Sequence, residues 1–243
     1  MRILVLQNDV EVPIGRLEDS ASAAGHEIVL VALFAGDRLL PFEEFDAIVI
    51  LGGGMGAYDE SIFPFLAEEK RFLTEAVAAG VPTLGLCLGG QLLADALGGS
   101  AYLAQRPEIE FTRVMPRVAD DLLADTLTSA RTLLFHRDTF DLPDGATLIA
   151  SSARYPQAFR FGSAVAVQPH PEVTGKVAAD WIDDPTQKVD LDRAGASAAD
   201  LKAEIHAAEP EMSRLASSFF AAWFSEAEVL VKNRRPIPSA SSQ

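Results

Sequence analysis

The chain has 243 residues, 49% of them hydrophobic and 23% charged, with a formal net charge of -15 and a single cysteine. That length fits one large α/β domain, alone or with a helical appendage, and buries enough apolar surface to fold without a disulfide or a metal. One cysteine excludes an internal disulfide, no Cys/His spacing fits a zinc site, and the negative charge disfavours nucleic acid and anionic lipid as partners, since both want clustered Lys and Arg.

The first apolar run, Met1 to Gln7, is too short for a signal peptide and gives way at once to polar residues, so the expected location is the cytoplasm. No stretch reaches the roughly 18 apolar residues that cross a bilayer. Ile3 to Gln7 reads as a strand, Ile14 to Ala24 as a helix closed by Gly25, His26 to Leu33 as a second strand and Asp46 to Leu51 as a third. Ser61 is placed to cap a helix running to Ala79, because Phe65, Leu66, Phe72, Leu73 and Val77 recur at helical spacing before Gly80. Val81 to Leu86 is a fourth strand, and Gln91 to Leu97 a helix closed by Gly98 and Gly99. Near-continuous apolar strands between helices indicate a parallel sheet covered on both faces.

From Ser100 to Val118 the pattern changes to short extended runs, read as an antiparallel patch. Thr132 to Phe135, Thr147 to Ser151, Ala158 to Phe161 and Ala164 to Gln168 read as further strands. The chain turns helical after Pro171 and breaks at Asp183-Asp184-Pro185. One or two amphipathic helices follow over Ala198 to Glu228, interrupted at Pro210. The expected organisation is a doubly wound α/β domain over residues 1–190, with a mostly parallel sheet and helices on both faces. A C-terminal helical extension over 191–230 packs on it, and a Pro/Ser-rich tail over 231–243 is expected to be disordered.

Three constellations carry chemistry. In Gly85-Leu86-Cys87-Leu88-Gly89-Gly90-Gln91 the cysteine sits between a buried strand and a helix, the form of a nucleophile elbow. A Cβ at either flanking glycine would collide in so sharp a turn, and the helix N-terminus aims N–H groups at the sulfur and favours thiolate. The alternative is a buried structural cysteine, the commoner state of free Cys in an ordinary βα turn. In Gln168-Pro169-His170-Pro171-Glu172, at the end of an apolar strand, His170 and Glu172 fall on one side of an extended chain. Glu172 can then hold one ring nitrogen while the other faces Cys87, as a base and its orienter. The third is Gly52-Gly53-Gly54-Met55-Gly56, a loop that presents N–H groups to a developing oxyanion or a phosphate. It lacks the Lys-Ser/Thr of a P-loop and the order of a dinucleotide site.

These three pieces, in this order on this pattern, resemble the class I glutamine amidotransferases, and among them the stand-alone proteins related to the amidotransferase domain of GMP synthase. The resemblance spans Met1 to about Thr174. It is supported by Phe135-His136-Arg137-Asp138-Thr139-Phe140, where such proteins carry an H-x-D segment, and by Gln157-Ala158-Phe159. It implies a γ-glutamyl thioester on Cys87, with His170 moving protons and Glu172 orienting it. It further implies an oxyanion hole from the backbone N–H groups of Gly53 and Leu88, and substrate contacts at Gly54, Gln91, His136 and Arg137. Gly54 stands where many relatives have Pro, Pro169 where many have Phe, and Arg137 where a small residue is usual.

The resemblance implies hydrolysis of glutamine to glutamate and ammonia, without metal or cofactor. Since no synthetase segment follows in the sequence, the expected ammonia acceptor is a separate synthetase. Two other functions are compatible with the residues: a γ-glutamyl peptidase that releases a different amine, and a non-catalytic regulatory member of the family.

Overall fold

Apolar strands and amphipathic helices alternate through residues 1–234, the part of the chain described by this computed structural model. The first half runs β1 (Arg2–Gln7), α1 (Arg16–Ala23), β2 (Glu27–Ala32), β3 (Ala47–Ile50), α2 (Phe65–Ala78), β4 (Thr83–Leu86) and α3 (Leu88–Ala96). Then come β5 (Ser100–Thr112), β6 (Met115–Pro116), α4 (Leu122–Thr128), β7 (Thr132–Asp141), β8 (Thr147–Ser151), β9 (Pro156–Phe161) and β10 (Ala164–Val167). Four helices follow: α5 (Gly175–Asp183), α6 (Lys188–Ala194), α7 (Ala198–Ala207) and α8 (Glu209–Asn233).

Eight strands form one sheet in the order β2-β1-β3-β4-β10-β9-β8-β6, while β5 and β7 make a separate antiparallel ribbon. The strands from β2 to β10 in that order are parallel, and β9, β8 and β6 continue the sheet antiparallel. The period of two sorts side chains between two cores. Ile3, Val5, Val49, Leu86 and Val167 face α1, α5 and α8, whereas Leu4, Leu6, Ile48, Ile50 and Ala166 face α2 and α3. This is the doubly wound fold expected from the sequence. Its chain crosses back over β1 between β2 and β3, and in such sheets ligands lie beyond the carboxyl ends of the strands near that switch.

Helix α8 is part of the core. Phe219, Phe220 and Trp223 are buried in the cluster that α1 and α4 also line, each contributing about 1.5–3 kcal/mol of burial. Arg160 of β9 ties the same helix down, donating to Glu226 at 2.9 and 3.0 Å and to Asp121. Pro210 does not interrupt this helix. It lies in the first turn, where its missing N–H has no intrahelical acceptor to lose, so the break falls at Ala208. The helix runs on through Asn233, so residues 231–233 of the expected tail are helical, and residues 235–243 lie outside the described part. Residue 190, the expected domain boundary, falls inside α6.

Other boundaries moved for identifiable reasons. Ser61 caps nothing: α2 begins at Phe65 behind Pro64, which fits a helix start better than its interior. The helix after Cys87 starts at Leu88, three residues earlier than expected, because the glycines there serve close approach rather than breaking the helix. The patch from Ser100 onward is one 13-residue strand with a register shift between Leu103 and Glu108. Its partner β7 extends to Asp141, so the His136-Arg137-Asp138 segment lies within a strand.

Candidate active site

Parallel β1, β3, β4 and β10 deliver their following loops to one edge of the sheet, and every candidate residue lies there or on β7. The elbow is held by close backbone approach. A Cβ on Gly85 would stand 2.3 Å from the Gly89 carbonyl oxygen, and one on Gly89 2.4 Å from that of Ile50. Cys87 itself has φ 51° and ψ −107°, a conformation that costs a non-glycine residue on the order of 1–3 kcal/mol. Its N–H donates to Val167 O at 2.8 Å, which anchors the turn to β10. The sulfur accepts from Gln168 Nε2 at 3.3 Å, and Gln91 Nε2 donates in turn to Gln168 Oε1 at 3.2 Å and to Asp138 O at 3.3 Å.

His170 and Glu172 are not on an extended chain. Strand β10 ends at Val167, and a turn at Pro171-Glu172 folds the carboxylate back onto the ring, with His170 Nδ1 and Glu172 Oε1 2.7 Å apart. The backbone of this turn is fixed on both sides. His170 N–H donates to Leu133 O of β7 at 3.0 Å, and Glu172 O accepts from Arg16 N–H at 2.8 Å. Gly15, at φ 60°, makes the second contact possible, since a Cβ there would lie 2.3 Å from the Glu172 oxygen. Trp181 of α5 meets the His170 ring edge-on, with centroids 4.9 Å apart.

Both partners are buried, His170 at 3% exposure and Glu172 at 0%, and His170 Nε2 has no hydrogen-bond partner among the described residues. Burial works against a charge on this ring. The Glu172 carboxylate and then the Cys87 sulfur outweigh it, and the imidazolium pKa is pushed up to about 10. The upward shift favours the protonated ring, which has a proton to give.

The glycine loop closes over the pair. A Cβ on Gly52 would sit 3.4 Å from His170 Cε1 and 3.5 Å from Cys87 Cβ, so the bare backbone is packed between them. At Gly53 a Cβ would be 2.7 Å from the Leu88 side chain, which makes Gly53 and Leu88 neighbours. Gly54 is held at both ends: its N–H donates to Asp9 Oδ2 at 2.9 Å, and its carbonyl accepts from Arg137 Nη2 at 2.8 Å. His136 is buried, its Nδ1 2.8 Å from Asp138 O and its Nε2 3.3 Å from the buried Glu108 carboxylate. Cys87, His170, Gly53, Gly54, Gln91, His136 and Arg137 all line one cavity of about 560 Å³. Among the described residues no group of three His, Cys, Asp or Glu side chains is placed to hold a metal ion, and no helix is long and apolar enough to cross a membrane.

Residues 16–184 match the family model described as glutamine amidotransferase class-I. The chain belongs to that family. This class I glutamine amidotransferase is 32% identical over 148 residues to one of the subunits of the glutamine-hydrolyzing GMP synthase from Sulfolobus acidocaldarius, covering 59% of this chain and 76% of that one. It is 30% identical over 185 residues to the pyridoxal 5'-phosphate synthase subunit PdxT of Mycobacteroides abscessus, covering 71% and 89%. A solved glutamine amidotransferase from Thermotoga maritima superposes with a TM-score of 0.81 at 30% identity, over 96% of this chain and 98% of that one.

Three residues of this amidotransferase's site have no role that the sequence alone discloses. Gln168 touches the sulfur, Asp9 holds Gly54, and Trp181 packs on His170 while its Nε1 donates to Glu11 O at 2.8 Å. Gln168 stands beside the His-Pro-Glu run, but its contact with the sulfur depends on the distant Cys87 turn. Nothing in the sequence of α5 names the ring that Trp181 covers.

Proposed function

We propose that the protein hydrolyses the γ-amide of glutamine to glutamate and ammonia through a thioester on Cys87. The observation that carries this reading is the pairing of a strained cysteine at a helix N-terminus with a buried His170 whose Nδ1 is held by Glu172 and whose Nε2 is unengaged. Strain of this kind is retained where it serves chemistry. A non-catalytic role gives no reason for it, because glycine at position 87 would relax the turn.

In this mechanism the Cys87 sulfur attacks Cδ of glutamine as the thiolate, in the positive potential of the helix N-terminus and the His170 cation. The amide oxygen becomes an oxyanion, for which the N–H groups of Gly53 and Leu88 are the donors; Leu88 opens α3, where N–H groups lack intrahelical acceptors. His170 gives its proton to the leaving nitrogen, the C–N bond breaks and ammonia departs. The neutral ring then takes a proton from water, which cleaves the thioester and releases glutamate. Glu172 holds the ring in place and stabilises its charged form.

Gln91, His136, Arg137 and the Gly54 backbone are assigned to the glutamine itself, on the grounds that all four line the cavity beside Cys87. The two relatives named above belong to synthases, which supports a separate synthetase as the acceptor of the ammonia. The test is glutamate release from glutamine by the purified chain, with and without the Cys87→Ala change. Turnover that survives this substitution refutes the reading.

A further inference from the structure

We infer that the same cavity accepts, beyond glutamine, γ-glutamyl amides whose leaving amine carries a positive charge of its own, as in a conjugate of an alkyl diamine or polyamine. The inference rests on the thioester chemistry proposed above and adds a substrate class to it.

The argument is one of charge and room. A volume of about 560 Å³ falls within the roughly 300–1,000 Å³ that holds drug-sized ligands, so the cavity has space for a substituent on the γ-nitrogen. Its walls carry six carboxylates, Asp9, Glu11, Asp138, Asp180, Asp184 and Asp190, against the Arg137 guanidinium and the His170 ring. Glutamine brings one ammonium and one carboxylate and leaves that excess unanswered. Asp180 is paired with Lys176 at 2.6 Å and Asp190 with Arg193 at 3.0 Å, and Asp138 lies 3.7 Å from Arg137. Asp9, Glu11 and Asp184 have no cationic partner among the described residues. The carboxylates that Asp9 and Asp184 present accept only backbone N–H groups, from Gly54 and Glu11 and from Thr186.

An acidic wall alone would say little, but this one lines the cavity that also holds Cys87 and His170. His170, 3% exposed, lines the same cavity as Cys87, and its buried Nε2 has no hydrogen-bond partner among the described residues. Val12, Phe135 and Trp181 line the same cavity, apolar side chains suited to methylene groups, two of them with aromatic faces that also attract cations. The Glu11 backbone is tied to Trp181, and Trp181 to the His170 ring, which fixes the acidic wall relative to the nucleophile. A γ-glutamyl amino acid fits worse, since its second carboxylate would meet the same acidic wall.

The chemistry is unchanged and balances. Cys87 Sγ bonds to Cδ, the C–N bond breaks, and His170 supplies the proton to the departing nitrogen. The amine leaves with its distal ammonium intact, and water then cleaves the C–S bond to give glutamate and the free thiol.

The test compares kcat/KM of the full chain for γ-glutamylputrescine, γ-glutamylbutylamide, γ-glutamylglycine and glutamine, with acylation of Cys87 followed in parallel by intact mass. The putrescine conjugate should exceed its neutral butyl counterpart by about tenfold at low ionic strength, an advantage that shrinks as salt is added. Glu11→Gln, and separately Asp184→Asn, which keeps the capping oxygen, should bring that ratio toward one. A ratio near one in the wild type, or one that neither variant moves, overturns the inference; acylation by glutamine in that case leaves the thioester reading standing. If no substrate acylates Cys87, both fall.

Discussion

Replacing Glu69 by Gln isolates a buried carboxyl whose ionisation burial disfavours. Glu69 projects from α2 into the core, fully buried, and its one hydrogen-bond partner among the described residues is Asn8 Nδ2 at 3.3 Å. Among the described residues its Oε2 and Asn8 Oδ1 are both buried acceptors without a donor, so a proton on the carboxyl supplies what the site lacks. Burial pushes this group from 4.5 up to about 8. The folded state therefore keeps a proton that the unfolded chain gives up, and stability falls as pH rises from 4.5 through about 8. The slope is about 1.4 kcal/mol per pH unit within that window, on the order of 3 kcal/mol between pH 5 and 8. Glutamine cannot ionise, so Glu69→Gln removes this dependence. Urea unfolding of both proteins at pH 5, 7 and 9 should give similar stabilities at the acid end and a growing advantage for the variant above it. Stability curves that run parallel across this range would refute the buried, protonated Glu69.

The alkaline limb of kcat/KM should lie near pH 10, where His170 loses the proton it gives to the leaving nitrogen. Glu172→Gln removes the carboxylate that does most to raise that value, so the limb should move to lower pH; an unmoved limb assigns it to another group. The same raised pKa makes His170 stabilising below pH 6.5, with the contribution lost as pH climbs toward 10. Gly89→Val should abolish soluble folded protein or turnover, because even its Cβ would lie 2.4 Å from Ile50 O. A fully active variant would mean the elbow has another shape. Trp223→Ala in α8 should cost about 3–5 kcal/mol in urea unfolding if that helix belongs to the core, and under 1 kcal/mol if it is an appendage.

What is legible in the sequence is whatever has a period or a short-range reason. The parallel strands show as apolar runs of the right length, and the elbow shows because Gly85 and Gly89 flank Cys87 at fixed spacing. His170 and Glu172 are legible for a partly mistaken reason. Their separation fits an extended chain, but a turn held by Gly15 and Leu133 brings them together. The reach of β7 through His136 to Asp138 is hidden because its pairing with β5 is long-range and shifts register at Leu103. Helices α4 and α6 are only seven residues each, too short to show a period. Pro210 suggests a break in the sequence, yet it stands at a helix start, where proline is at home. The contacts of Asp9, Gln168 and Trp181 depend on elements far apart in sequence, and no local pattern announces them.

The most direct test of the central claim is covalent. The wild-type chain should be labelled once, at Cys87, by a glutamine analogue carrying an electrophile at the γ-position, with loss of glutamate release in proportion to labelling. His170→Ala should slow that labelling by about a hundred- to ten-thousand-fold while circular dichroism stays unchanged. Labelling at another residue, or glutamine hydrolysis that continues after Cys87 is fully modified, would contradict the claim that this cysteine carries the γ-glutamyl group.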